Sequence, residues 1–162
     1  MKRFQQIAWV LLVSLVCCRM AAADPAAPWG RAKEAHRSYK PEKVVFDVTT
    51  GDEKALSNIL DRVALLDRLY GADPFSESIV IVLHGNSIPY FAVKNFSRYR
   101  ELVTRAESLT LTDTIHFRLC QAAAKARYGL RPQDIHGFIK MVPMADAEII
   151  RLQREEGYAY MR

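Results

Sequence analysis

Cysteine is scarce in this chain, and so are the patterns that usually bind metals or nucleotides. Three cysteines occur among 162 residues, and none belongs to a Cys-x-x-Cys pair. No two histidines stand three or four residues apart, so the common spacing of a zinc site is missing. A P-loop and a Gly-x-Gly-x-x-Gly turn are both absent, and nucleotide binding therefore lacks its usual signal. We predict neither a resident metal nor a cofactor.

Long apolar runs are lacking as well. The run Ile7–Cys18 is too short for the roughly 20 residues that span a bilayer. It follows two basic residues and precedes small residues that end at Ala23. This arrangement predicts a signal peptide over residues 1–23, cleaved after Ala23, and hence a periplasmic protein with no membrane attachment after cleavage. An uncleaved membrane anchor is the alternative.

Cleavage of that leader changes the charge and the thiol inventory. The full chain carries a formal charge of +5, but three of its 23 basic residues and no acidic residue lie in the leader. The remainder has 20 basic against 18 acidic residues, a charge of +2. Such a small excess gives no reason to expect nucleic-acid binding. Cys120 becomes the only thiol, which excludes an internal disulfide.

The stretch that follows the leader lacks any helical or strand period. Residues 24–42 hold three prolines, several alanines and scattered basic side chains. We predict a flexible basic arm there that serves as a tether, with docking against a partner as the alternative.

From Lys43 onward, short apolar β-branched runs alternate with helical patterns, which predicts one domain over residues 43–162. The candidate strands are 44–48, 78–83, 115–120, 136–142 and 158–161. The candidate helices are 56–69, the second half of 87–109, 121–128 and 145–155. This alternation implies right-handed βαβ crossovers. The sequence therefore predicts an α/β fold, a three-layer α/β/α sandwich with a five-stranded, mostly parallel sheet.

Polar side chains follow several of the predicted strands, where open parallel sheets bind their ligands. Thr49 comes after the first strand, His84, Gly85 and Asn86 after the second, and Cys120 ends the third. Neighbouring strands lie about 4.8 Å apart, so His84 and Cys120 meet if the second and third strands pair. We predict Thr49, Gly85 and Asn86 as ligand-binding positions on this rim.

Cys120 directly precedes a predicted helix, whose unpaired amides would stabilise a thiolate. A thiolate there can accept a sulfane sulfur, and His84 would orient or deprotonate it. The alternatives are an inert, buried Cys120 and a His84 that belongs only to a turn. Asp47, inside the first strand, needs a partner, and the candidates are Thr49, His84 or a neighbouring amide.

Four segments of the domain resemble the DsrE/DsrF-like proteins in order and spacing. The segments are KVVFDVTTGD, VLHGNSIPYF, FRLCQAAAKARYGL and VPMADAEIIRLQREEGYAY. The resemblance spans Lys43 to Tyr160, and the leader and arm look like those of exported members. It implies a five-stranded parallel sheet and assembly into trimers or hexamers. Cys120 matches the cysteine that is linked to sulfur relay in such proteins, and His84 matches the histidine of their His-Gly turn.

The leading hypothesis is therefore an exported sulfur carrier that holds a persulfide on Cys120, with a sulfur donor or acceptor protein as its partner. Whether it also turns over a substrate as an enzyme stays open. One alternative is an oligomeric binding or assembly module with an inert, buried Cys120. Another is a small-molecule or metal binder that uses the rim of Thr49, His84 and Asn86.

Two aromatic segments predict an oligomer interface. Ile88-Pro89-Tyr90-Phe91 and Tyr158-Ala159-Tyr160 are expected to expose aromatic surface at loops and at an edge strand. Exposed apolar patches of that kind mark protein interfaces.

Overall fold

The computed structural model describes residues 31–76 and 78–162, so the predicted leader and the start of the arm lie outside the described residues. The chain divides into two units, Met1–Arg37 and Ser38–Arg162. In the first unit, residues 31–37 are exposed and have no regular secondary structure. In the second, regular structure begins at Lys43. None of the helices in the described part of the chain is both long and apolar enough to cross a membrane.

Five strands and four α-helices alternate in the described part of the second unit. The strands are β1 Lys43–Val48, β2 Ser78–Leu83, β3 Ile115–Cys120, β4 Ile139–Val142 and β5 Ala159–Met161. The α-helices are α1 Glu53–Tyr70, α2 Arg100–Leu109, α3 Gln121–Tyr128 and α4 Ala145–Glu155. These five strands pair in parallel, in the order β4-β3-β2-β1-β5. The predicted three-layer sandwich is confirmed.

The two faces of the sheet are covered unequally. The steps from β1 to β4 cross the sheet in one direction, so right-handed crossovers place α1, α2 and α3 on one face. The return from β4 to β5 runs the other way and places α4 on the opposite face. We call the second surface the α4 face; its buried strand residues are Val45, Val80, Val82 and Cys120. The larger core, which includes Phe46 and Phe117, lies on the other side.

Local signals at the helix ends match the sequence pattern. Asp52 caps α1, where its carboxylate accepts the amide of Ala55 at 2.6 Å. Gly71 ends the same helix with a φ of 101°, a left-handed conformation that glycine adopts without strain. Asp52 and Gly71 thus set the two ends of α1.

Two strands are shorter than predicted. β4 begins at Ile139 rather than at residue 136, because the Ile139 amide donates to the carbonyl of His136 in a turn. β5 begins at Ala159 rather than at residue 158, because the Tyr158 amide donates to Leu152 at the end of α4. The preceding connections thus include residues 136–138 and Tyr158, which the sequence pattern assigned to strands.

The expectation of exposed aromatic surface was wrong for most of the residues concerned. Ile88 and Phe91 are fully buried and Tyr90 nearly so, because a 3₁₀ turn over Gly85–Phe91 folds them into the larger core. Tyr158 is buried under α4, whereas Tyr160 is 43% exposed. Oligomerisation stays a prediction, but it loses this support.

The buried position of His136 predicts that the stability of the protein depends measurably on pH. It lies between the rings of Phe96 and Phe138, and its Nε2 is buried without a hydrogen-bond partner among the described residues. Burial lowers the pKa of His136, against the opposing charge of Glu107. The unfolded chain therefore takes up the proton first, and the free energy of unfolding falls as pH drops below about 6.5. We expect His136→Phe to flatten this dependence in urea titrations.

The matched control for that measurement is His36→Phe, at an exposed position of the arm. It should leave the slope of unfolding free energy against pH unchanged. A slope that His136→Phe fails to reduce would contradict the prediction.

Candidate functional site

Cys120 ends β3 and caps the N-terminus of α3, as the sequence predicted. Its Sγ accepts the amide of Ala123 at 3.5 Å, in the first turn of α3. It also accepts the amide of Ala145 at 3.4 Å, and Ala145 is the first residue of α4. The thiol is 5% exposed. The sulfur thus lies at the start of two helices, of which the sequence indicated only one.

Amide donors from two helix starts surround the sulfur of Cys120. Amides in the first turn of a helix have no partner within the helix, and the helix dipole adds positive potential there. Two such amides, from α3 and α4, converge on the Sγ of Cys120. A further bond from the Ala122 amide to the carbonyl of Pro143, 3.2 Å long, holds the two helix starts together. Both helix starts therefore direct amide donors at the Cys120 sulfur.

His84 directly follows β2, the strand that neighbours the one that Cys120 ends. Leu83 of β2 pairs with Leu119 of β3, so the next residues, His84 and Cys120, are adjacent positions at the carboxyl end of the sheet. Alternation along each strand assigns both to the α4 face. Among the described residues, no hydrogen bond joins their side chains. Register thus places the predicted pair at neighbouring strand ends, while the imidazole bonds to another residue.

The partner of His84 is Asp47 of β1. The imidazole Nε2 lies 2.5 Å from Asp47 Oδ1, and the Tyr160 hydroxyl donates to Oδ2 at 2.6 Å. Burial acts to raise the pKa of Asp47, but the hydrogen bonds from Tyr160 and His84, together with the charges of His84 and Arg162, hold that pKa below its ordinary value. An ionised carboxylate only accepts, so Nε2 carries the proton and Nδ1 is left for another partner.

The sequence listed His84 among three candidate partners for Asp47 and missed Tyr160. Tyr160 reaches Asp47 because β5 pairs with β1, where Val45 is opposite Tyr160. The spacing of strands along the chain does not say which edge the last strand joins. The tyrosine-rich ending is the only sequence signal for this contact, and its pattern predicts an oligomer interface instead.

The three predicted ligand-binding residues also meet. The Asn86 amide donates to the carbonyl of Thr49 at 3.2 Å, and Gly85, with a φ of 60°, packs against Thr49. The Asn86 carboxamide oxygen accepts from Arg127 at 3.2 Å and from the Tyr128 hydroxyl at 3.3 Å. These residues tie the rim to α3, and a role in binding a ligand stays a prediction. Within the described ranges, no group of three or more histidine, cysteine, aspartate or glutamate residues is arranged to hold a metal.

Ser87 fixes the turn that carries His84. It is fully buried, and its hydroxyl donates toward the carbonyls of Val48 and His84, at 2.9 and 2.8 Å. The backbone of His84 also donates to the Val48 carbonyl at 3.0 Å. The imidazole therefore projects from a turn that is tied to β1, the strand that carries Asp47.

Comparison with known proteins bears on the fold. No family model matches the chain, and no curated protein matches it. Among solved structures, the chain is similar to a protein of unknown function, MTH1491, from Methanobacterium thermoautotrophicum. The two share 22% sequence identity with a TM-score of 0.62, over 75% of this chain and 98% of the other. The similarity places this chain's α/β sandwich among known folds.

Proposed function

We propose that this protein is an exported sulfur carrier that holds a persulfide on Cys120. The observation that carries the proposal is the convergence of the Ala123 and Ala145 amides on the Cys120 sulfur. A thiolate at the start of a helix is both stabilised and nucleophilic, and sulfur transfer needs such a nucleophile. The predicted leader and the resemblance to exported DsrE/DsrF-like proteins support a periplasmic site of action.

The proposed transfer is an exchange at sulfur. The Cys120 thiolate attacks the outer sulfur of a donor persulfide, R–S–SH, and a new S–S bond forms while the donor's S–S bond breaks. The donor leaves as a thiolate and takes up a proton, so there is no net oxidation. An acceptor thiolate then removes the outer sulfur from Cys120 by the same step. The partners are therefore a persulfide donor and a thiol acceptor.

Mass spectrometry after incubation with inorganic polysulfide tests the proposal. The full chain is used in a Cys17→Ser, Cys18→Ser background, which leaves one thiol. We expect the mass to rise by that of one sulfur atom, on the tryptic peptide Leu119–Lys125. Cys120→Ser is the control, because a serine oxygen still caps α3 and the helix is preserved. A gain that persists in Cys120→Ser, or no gain in its parent, would sink the proposal.

The burial of Cys120 favours a second candidate, an assembly module whose thiol is inert core. Cys120 is 5% exposed and belongs to the same buried cluster on the α4 face as Val82, Ala145 and Ile149. A thiol of that kind reacts only when the structure opens. Slow alkylation that accelerates steeply with sub-denaturing urea would support this candidate. Fast alkylation that is independent of urea would exclude it.

A further inference from the structure

We infer that Asp47 is a positioning residue for Cys120 and that it acts through His84. Asp47 belongs to β1 and Cys120 to β3, and His84 directly follows β2, the strand between them. Asp47 of β1 is opposite Val82 of β2. His84 comes two residues after Val82 and therefore lies on the same face of the sheet, and Cys120 ends the neighbouring strand on that face. The inference concerns how the thiol becomes reactive, and its use in sulfur transfer rests on the proposed function.

The contact between Asp47 and His84 sets which nitrogen can act. Their side chains are 17% and 19% exposed, and the Nε2–Oδ1 distance is 2.5 Å. The Tyr160 hydroxyl donates a hydrogen bond to the second carboxylate oxygen, Oδ2. The carboxylate therefore holds the imidazole in the tautomer with the proton on Nε2 and the lone pair on Nδ1. In this arrangement Cys120 is the nucleophile, His84 is the base, and Asp47 orients the base.

Each charge that forms in the reaction then has a partner. Nδ1 of His84 takes the proton of the Cys120 thiol. The resulting imidazolium lies against the Asp47 carboxylate, and the thiolate accepts the amides of Ala123 and Ala145. During sulfur transfer, the thiolate attacks the donor's outer sulfur and the imidazolium returns its proton to the departing donor thiolate. Asp47 keeps its charge throughout.

Other charged or titratable side chains near Asp47, His84 and Cys120 lie on β5, β3, α4 and α3. Tyr160 and Arg162, at the β5 end, both lower the pKa of Asp47, Tyr160 by its hydrogen bond and Arg162 by its charge. On the other side, Arg118 of β3 is paired with Glu148 of α4. Arg127 of α3 bonds to Asn86, beside the His-Gly turn. Among the described residues, Asp47 is the only carboxylate that bonds to His84, so its charge can be removed selectively.

The test is the pH dependence of Cys120 alkylation by iodoacetamide, in the full chain with Cys17→Ser and Cys18→Ser. Alkylation needs the thiolate but no sulfur donor, so it is independent of the proposed cargo. Asp47→Asn removes the negative charge that stabilises the imidazolium, and the thiolate then forms at higher pH. We expect the midpoint of the rate profile to rise by about one pH unit. At neutral pH the rate should fall roughly tenfold.

Two further variants make the result decisive. His84→Gln should shift the midpoint as Asp47→Asn does, and the double variant should shift it no further, because both act in one sequence of contacts. Tyr160→Phe keeps the carboxylate and should stay close to the parent. A midpoint that Asp47→Asn leaves unchanged, or two shifts that add fully, would overturn the inference. If the shift appears but polysulfide adds no sulfur, the positioning role stands and the sulfur cargo fails.

Discussion

Glu148→Ala is expected to lower the free energy of unfolding by about 3 kcal/mol, because it leaves Arg118 unpaired beneath α4. Arg118 of β3 donates to Glu148, and their side chains are only 16% and 13% exposed. Burial lowers the pKa of Arg118, and the nearby charge of Arg151 adds to that effect. Because burial removes part of the hydration of the Arg118 guanidinium, its charge is stabilised mainly by the Glu148 carboxylate. Urea unfolding measures the loss.

The same variant should also change the reactivity of Cys120. The α4 helix contributes the Ala145 amide to the sulfur, and Glu148 lies one turn further along this helix. If α4 loosens, the thiol loses the Ala145 amide but also its cover, and the gain in access outweighs the loss of one amide, while the other face of the sheet stays packed. We expect alkylation of Cys120 without denaturant to become faster in Glu148→Ala, measured by mass spectrometry over time.

Glu155→Ala is the matched control on the same helix. Glu155 is 68% exposed and lies 3.9 Å from Arg151, so its removal should cost less than about 1 kcal/mol. A double variant, Arg118→Met with Glu148→Leu, should recover most of the lost stability because it buries no unpaired charge. If Glu148→Ala proves as stable as Glu155→Ala, the ion pair does not hold α4 to the sheet.

The layers of the fold could be predicted because their signals are local. Short runs rich in β-branched residues, such as Val44–Val48, indicate buried strands, and the Asp52 cap and Gly71 mark the ends of α1 within a few residues. The strand order could not be obtained in this way. Crossover handedness assigns faces, but the edge that β5 joins depends on packing across the whole sheet. The contact between Tyr160 and Asp47 was missed for that reason.

The same difference between local and long-range signals decides which parts of the candidate site could be predicted. Cys120 at a strand end before a helix could be predicted, since both elements are contiguous in sequence. The second amide, from Ala145, comes from a helix that starts 25 residues later and crosses the same face. The burial of Ile88 and Phe91 was also missed, because a 3₁₀ turn gives no period that separates inside from outside.

Phe117→Ala is expected to cost about 4 kcal/mol of unfolding free energy, the largest effect of any change proposed for this chain. Phe117 is 1% exposed, and its ring meets Phe138 edge-on at 5.5 Å and Phe91 at 6.1 Å. Truncation leaves a cavity in the larger core and removes both ring contacts. Phe117→Leu, which keeps most of the apolar volume, should cost less than half as much in urea unfolding.

Phe117 and Cys120 are on opposite faces of β3, and this separates the two predictions. Phe117→Ala weakens the core that α1, α2 and α3 share, but it leaves α4 and its ion pair in place. Without denaturant, alkylation of Cys120 in Phe117→Ala should therefore stay near the parental rate, whereas in Glu148→Ala it rises although less stability is lost. If the two rates instead follow global stability alone, α4 does not open independently, and only complete unfolding exposes the thiol.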